Sequence, residues 1–190
     1  MISSNDLRPG VTIEYRDGVW QVIESMHVKP GKGSAFVKTK LRNVETDDVL
    51  SVNFRAGERL SAAHLEKIAL VYVYRDNELY SLMDLTGTET IEVEAKHFGR
   101  NLDLLKEGLR DISIVRHRGK VIRVDLPISV DLVVKETPPD ERGNTNSGSG
   151  KEAKLETGAV ITVPFHVKAG DRIRVDTRSR EYLTRVKDEP

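Results

Sequence analysis

Along most of the chain, apolar and polar residues alternate in short runs rich in Val and Ile, broken by Gly, Asp or Pro every eight to twelve residues. A period of two marks strands with one buried and one solvated face, and this turn spacing fits all-β barrels or sandwiches better than βαβ units. In the first third, Pro9-Gly10 opens a predicted strand at 11–15, Asp17-Gly18 turns it, and 19–26 forms the next. Strands follow at 36–41 and, after Thr46-Asp47-Asp48, at 49–54, a count that fits a small SH3-like barrel over residues 1–65.

A second set covers 66–128, with strands predicted at 70–74, 79–84 and 89–93. Apolar Phe98, Leu102 and Leu105 then predict a short amphipathic helix over 95–108, ahead of strands at 112–116 and 121–125 around an Arg118-Gly119 turn. Five strands with a helix between the third and fourth is the layout of an OB fold. The last part, 129–190, predicts strands at 130–136, 159–163, 172–176 and 182–186. Between its first two lies Gly143-Asn144-Thr145-Asn146-Ser147-Gly148-Ser149-Gly150, too polar and Gly-rich to pack, and expected to move unless a partner orders it.

The most informative turn is Lys29-Pro30-Gly31-Lys32-Gly33-Ser34, set between Val19-Trp20-Gln21-Val22-Ile23 and Ala35-Phe36-Val37-Lys38-Thr39. It presents Lys32 at the apex of a hairpin. Pro30 has no N–H and presets φ, while glycines on both sides of Lys32 permit positive φ and close approach of a partner. Between Ser25 and Val44 stand Lys29, Lys32, Lys38, Lys40 and Arg42 with no Asp or Glu, in a chain of zero formal net charge. A positive tip on a neutral body suits a polyanion. Taken alone, Lys32 reads more simply as a solvated turn lysine that aids solubility.

Composition narrows the classes. A length of 190 residues allows one large domain or two to three small ones, and the modular β pattern favours the latter. Cysteine is absent, which removes disulfides, thiolate zinc sites and cysteine nucleophiles. The amino terminus lacks a basic region followed by an apolar run, and no stretch has the length of a membrane span, so a soluble cytoplasmic protein without membrane association is expected. Acidic and basic residues nearly balance within each third, so contact with nucleic acid must use local patches.

Arg116-His117-Arg118-Gly119-Lys120 is a second basic turn, for which phosphate contact and a plain charged turn are both open. Arg172, Arg174, Arg178, Arg180, Arg185 and Lys187 alternate with Asp171, Asp176 and Glu181, so ion pairing on a strand face competes with RNA binding. There is no GxxxxGK[ST], HExxH or GxSxG motif and no EF-hand spacing, and the five histidines have no ligand-like spacing. No cofactor, metal or catalytic activity is expected. Few aromatics, with Phe36 the one inside the basic run of the hairpin, argue against a base-stacking platform and for contact with folded RNA through backbone and shape.

Three stretches together resemble bacterial elongation factor P: the hairpin 29–36, the junction Phe54-Arg55-Ala56-Gly57-Glu58, and the block from Leu155-Glu156-Thr157-Gly158 to Gly170-Asp171-Arg172-Ile173-Arg174-Val175-Asp176-Thr177-Arg178. The resemblance implies a KOW-like domain and two OB domains in an L-shaped, tRNA-like arrangement, bound to the 70S ribosome between P and E sites. It further implies that Lys32 reaches the CCA end of a proline-carrying P-site peptidyl-tRNA and relieves stalling at consecutive prolines. Lys29, Pro30, Gly31, Gly33 and Ser34 would support the tip, and Lys38, Lys40 and Arg42 would hold phosphates of tRNA or ribosomal RNA. By the same resemblance a lysine-modifying enzyme acts on Lys32 in some members, and the factor is monomeric. Gly143-Asn144-Thr145 stands where the family commonly has Gly-Asp-Thr near the E-site codon, Tyr182 and Arg185 match family positions in the third domain, and the resemblance makes these residues RNA-binding candidates. The alternative is a general RNA-binding OB protein with no ribosomal role.

Overall fold

In the computed structural model, which describes residues 1–139 and 150–187, the alternating pattern folds into three sheets. The first collects β1 (Ile2–Ser3), β2 (Thr12–Tyr15), β3 (Gly18–Val28), β4 (Phe36–Asn43), β5 (Val49–Arg55) and β6 (Arg59–Ala62), in the order β1-β6-β2-β3-β4-β5. Its inward positions, among them Ile13, Trp20, Val22, Leu41 and Phe54, make one cluster, with Tyr15 edge-on to Phe54 at 5.5 Å. Each such side chain contributes roughly 1.5–3 kcal/mol by leaving water, which fixes which face of each strand turns in.

The second sheet holds β7 (Glu66–Asp76), β8 (Leu79–Asp84), β9 (Thr90–Glu94), β10 (Ile112–His117) and β11 (Lys120–Asp125), ordered β11-β10-β7-β8-β9. The third holds β12 (Ser129–Glu136), β13 (Lys151–Leu155), β14 (Val160–Val163), β15 (Arg172–Asp176) and β16 (Tyr182–Arg185), ordered β14-β13-β12-β15-β16. Both obey one rule: the first strand is central, the second and third lie to one side, the fourth and fifth to the other. Tyr72, Tyr80 and Phe98 meet ring to ring as tilted pairs in the second core, at 6.0 and 5.1 Å between centroids. Val130, Leu132, Ile173 and Val175 fill the third, where Leu104 is also buried. The chain packs as two compact units, Met1–Ile68 with Ile114–Arg123, and Ala69–Ser113 with Val124–Pro190.

The all-β reading is borne out, with two local corrections. The helix expected over 95–108 is a 3-10 segment, Ala95–Leu104, interrupted at Gly99 (φ 56°, ψ −141°). Its apolar spacing is real, since Phe98 and Leu104 are buried, but Gly99 leaves the helical region and each half is too short to stand as an α-helix. Strands β1, β6 and β13 went unseen in the pattern. Residues 151–155, Lys-Glu-Ala-Lys-Leu, have weak strand propensity; pairing with both β12 and β14 and burial of Ala153 and Leu155 override it.

Candidate nucleic-acid interface

Strands β3 and β4 pair from Trp20 opposite Asn43 to Val28 opposite Phe36, with one irregularity between Val22 and Glu24. They carry the loop 29–35, in which Lys29, Pro30, Gly31, Lys32, Gly33 and Ser34 are all exposed. Of the two glycines flanking Lys32, only Gly33 takes a positive φ, at +108°; a Cβ there would meet only the Pro30 ring, at 3.8 Å. Gly31 does not use the left-handed region, because one reversal suffices in a loop of this width. Among the described residues, no hydrogen bond or ion pair ties down the side chain of Lys29, Lys32, Lys38 or Arg42.

Alternation on β4 buries Val37, Thr39 and Leu41 and turns Lys38, Lys40 and Arg42 to the outer face. Register then lays out three rows across β3, β4 and β5: Met26, Lys38 and Asn53; Glu24, Lys40 and Ser51; Gln21, Arg42 and Val49. The cations form a central column at two-residue intervals, about 7 Å apart. Lys40 alone meets a carboxylate, Glu24, at 3.3 Å, with both side chains well exposed. The row neighbours on β3 and β5 were invisible to sequence reasoning, because naming them requires the register and the offset at Val22/Glu24.

The second basic turn is arranged differently. Arg118 (φ 50°) and Gly119 (φ 76°) form the expected tight turn, but the side chains of Arg116, His117 and Arg118 find partners within the unit. Nε2 of His117 lies 2.8 Å from a Glu14 carboxylate oxygen and Nδ1 2.8 Å from the His64 carbonyl oxygen. Arg118 pairs with Glu14 at 2.8 Å and Arg116 with Glu66 at 3.4 Å.

The carboxyl-terminal arginines are likewise engaged. Arg174 donates twice to Asp131, at 2.7 and 2.8 Å, and holds that carboxyl below its ordinary range. Arg180 donates to both oxygens of Asp103 at 2.7 Å and to the Arg100 carbonyl at 2.7 Å, while Arg100 returns a hydrogen bond to the Arg178 carbonyl. Asp176 accepts from the backbone N–H groups of Ser179 and Arg178 and pairs with the Arg178 side chain, and these contacts lower its pKa. Arg185 stands 3.8 Å from Asp171. Tyr182 packs against the third core. Gly143, Asn144 and Thr145 lie outside the described residues.

Comparison with known proteins follows the same three parts. Models of the elongation factor P (EF-P) KOW-like domain, the elongation factor P (EF-P) OB domain and the elongation factor P C-terminal region match residues 3–60, 65–124 and 130–185. Elongation factor P of Synechococcus sp. (strain JA-3-3Ab) is 49% identical over 185 residues, spanning 97% of this chain and 100% of that protein. The protein of the same name from Caldicellulosiruptor saccharolyticus is 45% identical over 186 residues, spanning 98% and 100%. Among solved structures, the translation initiation factor 5A from Methanococcus jannaschii aligns with a TM-score of 0.51 and 16% identity, over 65% of this chain and 92% of its own. That likeness speaks for the fold alone. Three successive family models and nearly half identity over nearly the full length establish that the chain belongs to the elongation factor P family.

Proposed function

We propose that this chain, a translation elongation factor by family, binds the ribosome between the P and E sites and stimulates peptide-bond formation at consecutive prolines. Lys32 acts there as a cationic strut against the CCA end of the P-site peptidyl-tRNA. The observation that carries the reading is the solvent-facing, unpartnered lysine on the loop between β3 and β4, backed by the outward column of Lys38, Lys40 and Arg42. Proline is a constrained secondary amine and reacts slowly in peptide transfer. A factor that removes unproductive poses of the peptidyl-tRNA lowers that barrier without contributing a reacting group, an orientation effect worth roughly 7–11 kcal/mol at its limit.

In this reading Lys29, Pro30, Gly31, Gly33 and Ser34 shape the tip, and the β4 cations hold phosphates of tRNA and ribosomal RNA. The exposed loop is also open to an enzyme that lengthens Lys32. The chain divides functionally at 1–65, 66–128 and 129–190, acts as a cytoplasmic monomer, and performs no covalent chemistry of its own. Arg185 and Gly143-Asn144-Thr145 supply further RNA contacts in the third part, with Tyr182 supporting them by packing. The test is synthesis of a reporter with three consecutive prolines in a reconstituted ribosome system. Wild type rescues and Lys32→Ala does not; equal rescue by Lys32→Ala overturns the strut mechanism, and intact mass of the native protein decides whether the tip is modified.

A further inference from the structure

The cation column on β4 is flanked unevenly. On the β5 side stand neutral Asn53 and Ser51; on the β3 side stand Met26 and Glu24, which with Lys38, Lys40 and Ser51 line a groove of about 570 Å³ that reaches Pro9. Met26 is 64% exposed, an apolar side chain left in water on the wall of a groove it shares with Pro9, Lys38 and Lys40. Volume and lining suit one nucleotide of a strand whose phosphates follow Lys38 and Lys40. The wall also carries hydrogen-bond acceptors that a simple phosphate track does not need. One Glu24 oxygen meets Lys40 at 3.3 Å, which leaves the other free to accept, and the Ser51 hydroxyl stands across Lys40 in the same row.

We propose that this groove is a ribonucleotide-reading subsite. Lys38 and Lys40 take the flanking phosphates, the Met26 thioether and the Pro9 ring cover the apolar face of the sugar or base, and Glu24 accepts a hydrogen bond from the 2′-hydroxyl. A carboxylate in the path of a polyanion is costly unless it meets a donor, and the 2′-hydroxyl is the donor that RNA has and DNA lacks. Glu24 therefore sets preference for RNA, and Met26 supplies a contribution that does not depend on salt. The assignment rests on the reading of the β3–β4 face as an RNA-binding surface.

The test is binding of the full chain to an RNA stem–loop with a short single-stranded 3′ end and to the DNA of the same sequence, across a salt series. Glu24 and Met26 are exposed, so their variants fold. Wild type prefers RNA, and Glu24→Gln weakens that preference by about tenfold, the worth of one hydrogen bond to a charged group. Met26→Ala weakens RNA binding several-fold at every salt concentration with an unchanged slope, whereas Lys38→Ala lowers the slope by about 1. Equal affinity for RNA and DNA, affinity for neither, or an unaltered preference in Glu24→Gln overturns the subsite. Loss of proline rescue is read separately with Lys32→Ala, so failure of the subsite leaves the strut mechanism standing and the reverse also holds.

Discussion

The hairpin face of the first sheet and the carboxyl-terminal block of the third are both rich in cations, yet they use them in opposite ways. On the hairpin, Lys29, Lys32, Lys38 and Arg42 have no ion-pair partner among the described residues. In the block, Arg174, Arg178 and Arg180 hold carboxylates at 2.7 to 3.2 Å, while Arg185 stands farther from its own, 3.8 Å from Asp171. A cation already paired with a carboxylate has much of its charge neutralised in place and gains less from a phosphate. A free one gives up only water and counterions, so the hairpin is built to bind and the block to hold itself together.

The largest effect expected from this contrast is functional and falls on one residue. Lys32→Ala abolishes rescue of a three-proline reporter while its thermal unfolding midpoint stays at the wild-type value, because the side chain is exposed and makes no hydrogen bond or ion pair among the described residues. Arg180→Ala does the reverse. It removes a bidentate pair with Asp103 and a bond to the Arg100 carbonyl, from an arginine whose side chain is 22% exposed. A loss on the order of 1–3 kcal/mol in urea unfolding is expected, with rescue intact at temperatures where the variant is folded. Charge reversal of both partners, Arg180→Asp with Asp103→Arg, recovers part of it.

Next comes the salt dependence of RNA binding. Lys38→Ala and Arg42→Ala each lower the slope of log affinity against log salt by about 1, and Arg174→Ala leaves it unchanged. A slope change in Arg174→Ala as large as in Lys38→Ala would erase the distinction between the regions. The smallest effect is on acid stability. Asp131, through its Arg174 hydrogen bonds, and Asp176, through the Ser179 and Arg178 contacts, both sit below the ordinary carboxylate pKa. Groups with depressed folded values stabilise above their unfolded pKa, about 3.9 for Asp, and lose that contribution as pH falls through the folded value. The urea midpoint of Arg174→Ala should therefore fall less than that of wild type between about pH 5 and pH 2.

Much of the architecture was legible because strand alternation is local. Val37, Thr39 and Leu41 against Lys38, Lys40 and Arg42 can be read from spacing, and burial of the first set obliges the second to face outward. The layout of five strands with an intervening segment was also readable for 66–128. Segments whose propensity and fate disagree were not, as with Lys-Glu-Ala-Lys-Leu at β13, held by neighbours on both sides. Gly99 likewise turned a helical spacing into two short 3-10 pieces.

The sequence by itself determined the β character, the turn that exposes Lys32 and the face on which the β4 cations lie, because alternation and turn chemistry involve residues close along the chain. Only the tertiary structure decided which charges are spent. Arg180 finds Asp103 and Arg174 finds Asp131, 77 and 43 residues away, while the acids nearest in sequence are not the ones these arginines hold. Met26 and Glu24 joined the candidate interface for the same reason: strand pairing and one irregularity at Val22/Glu24 set their row, and pairing is a long-range fact that no local pattern encodes.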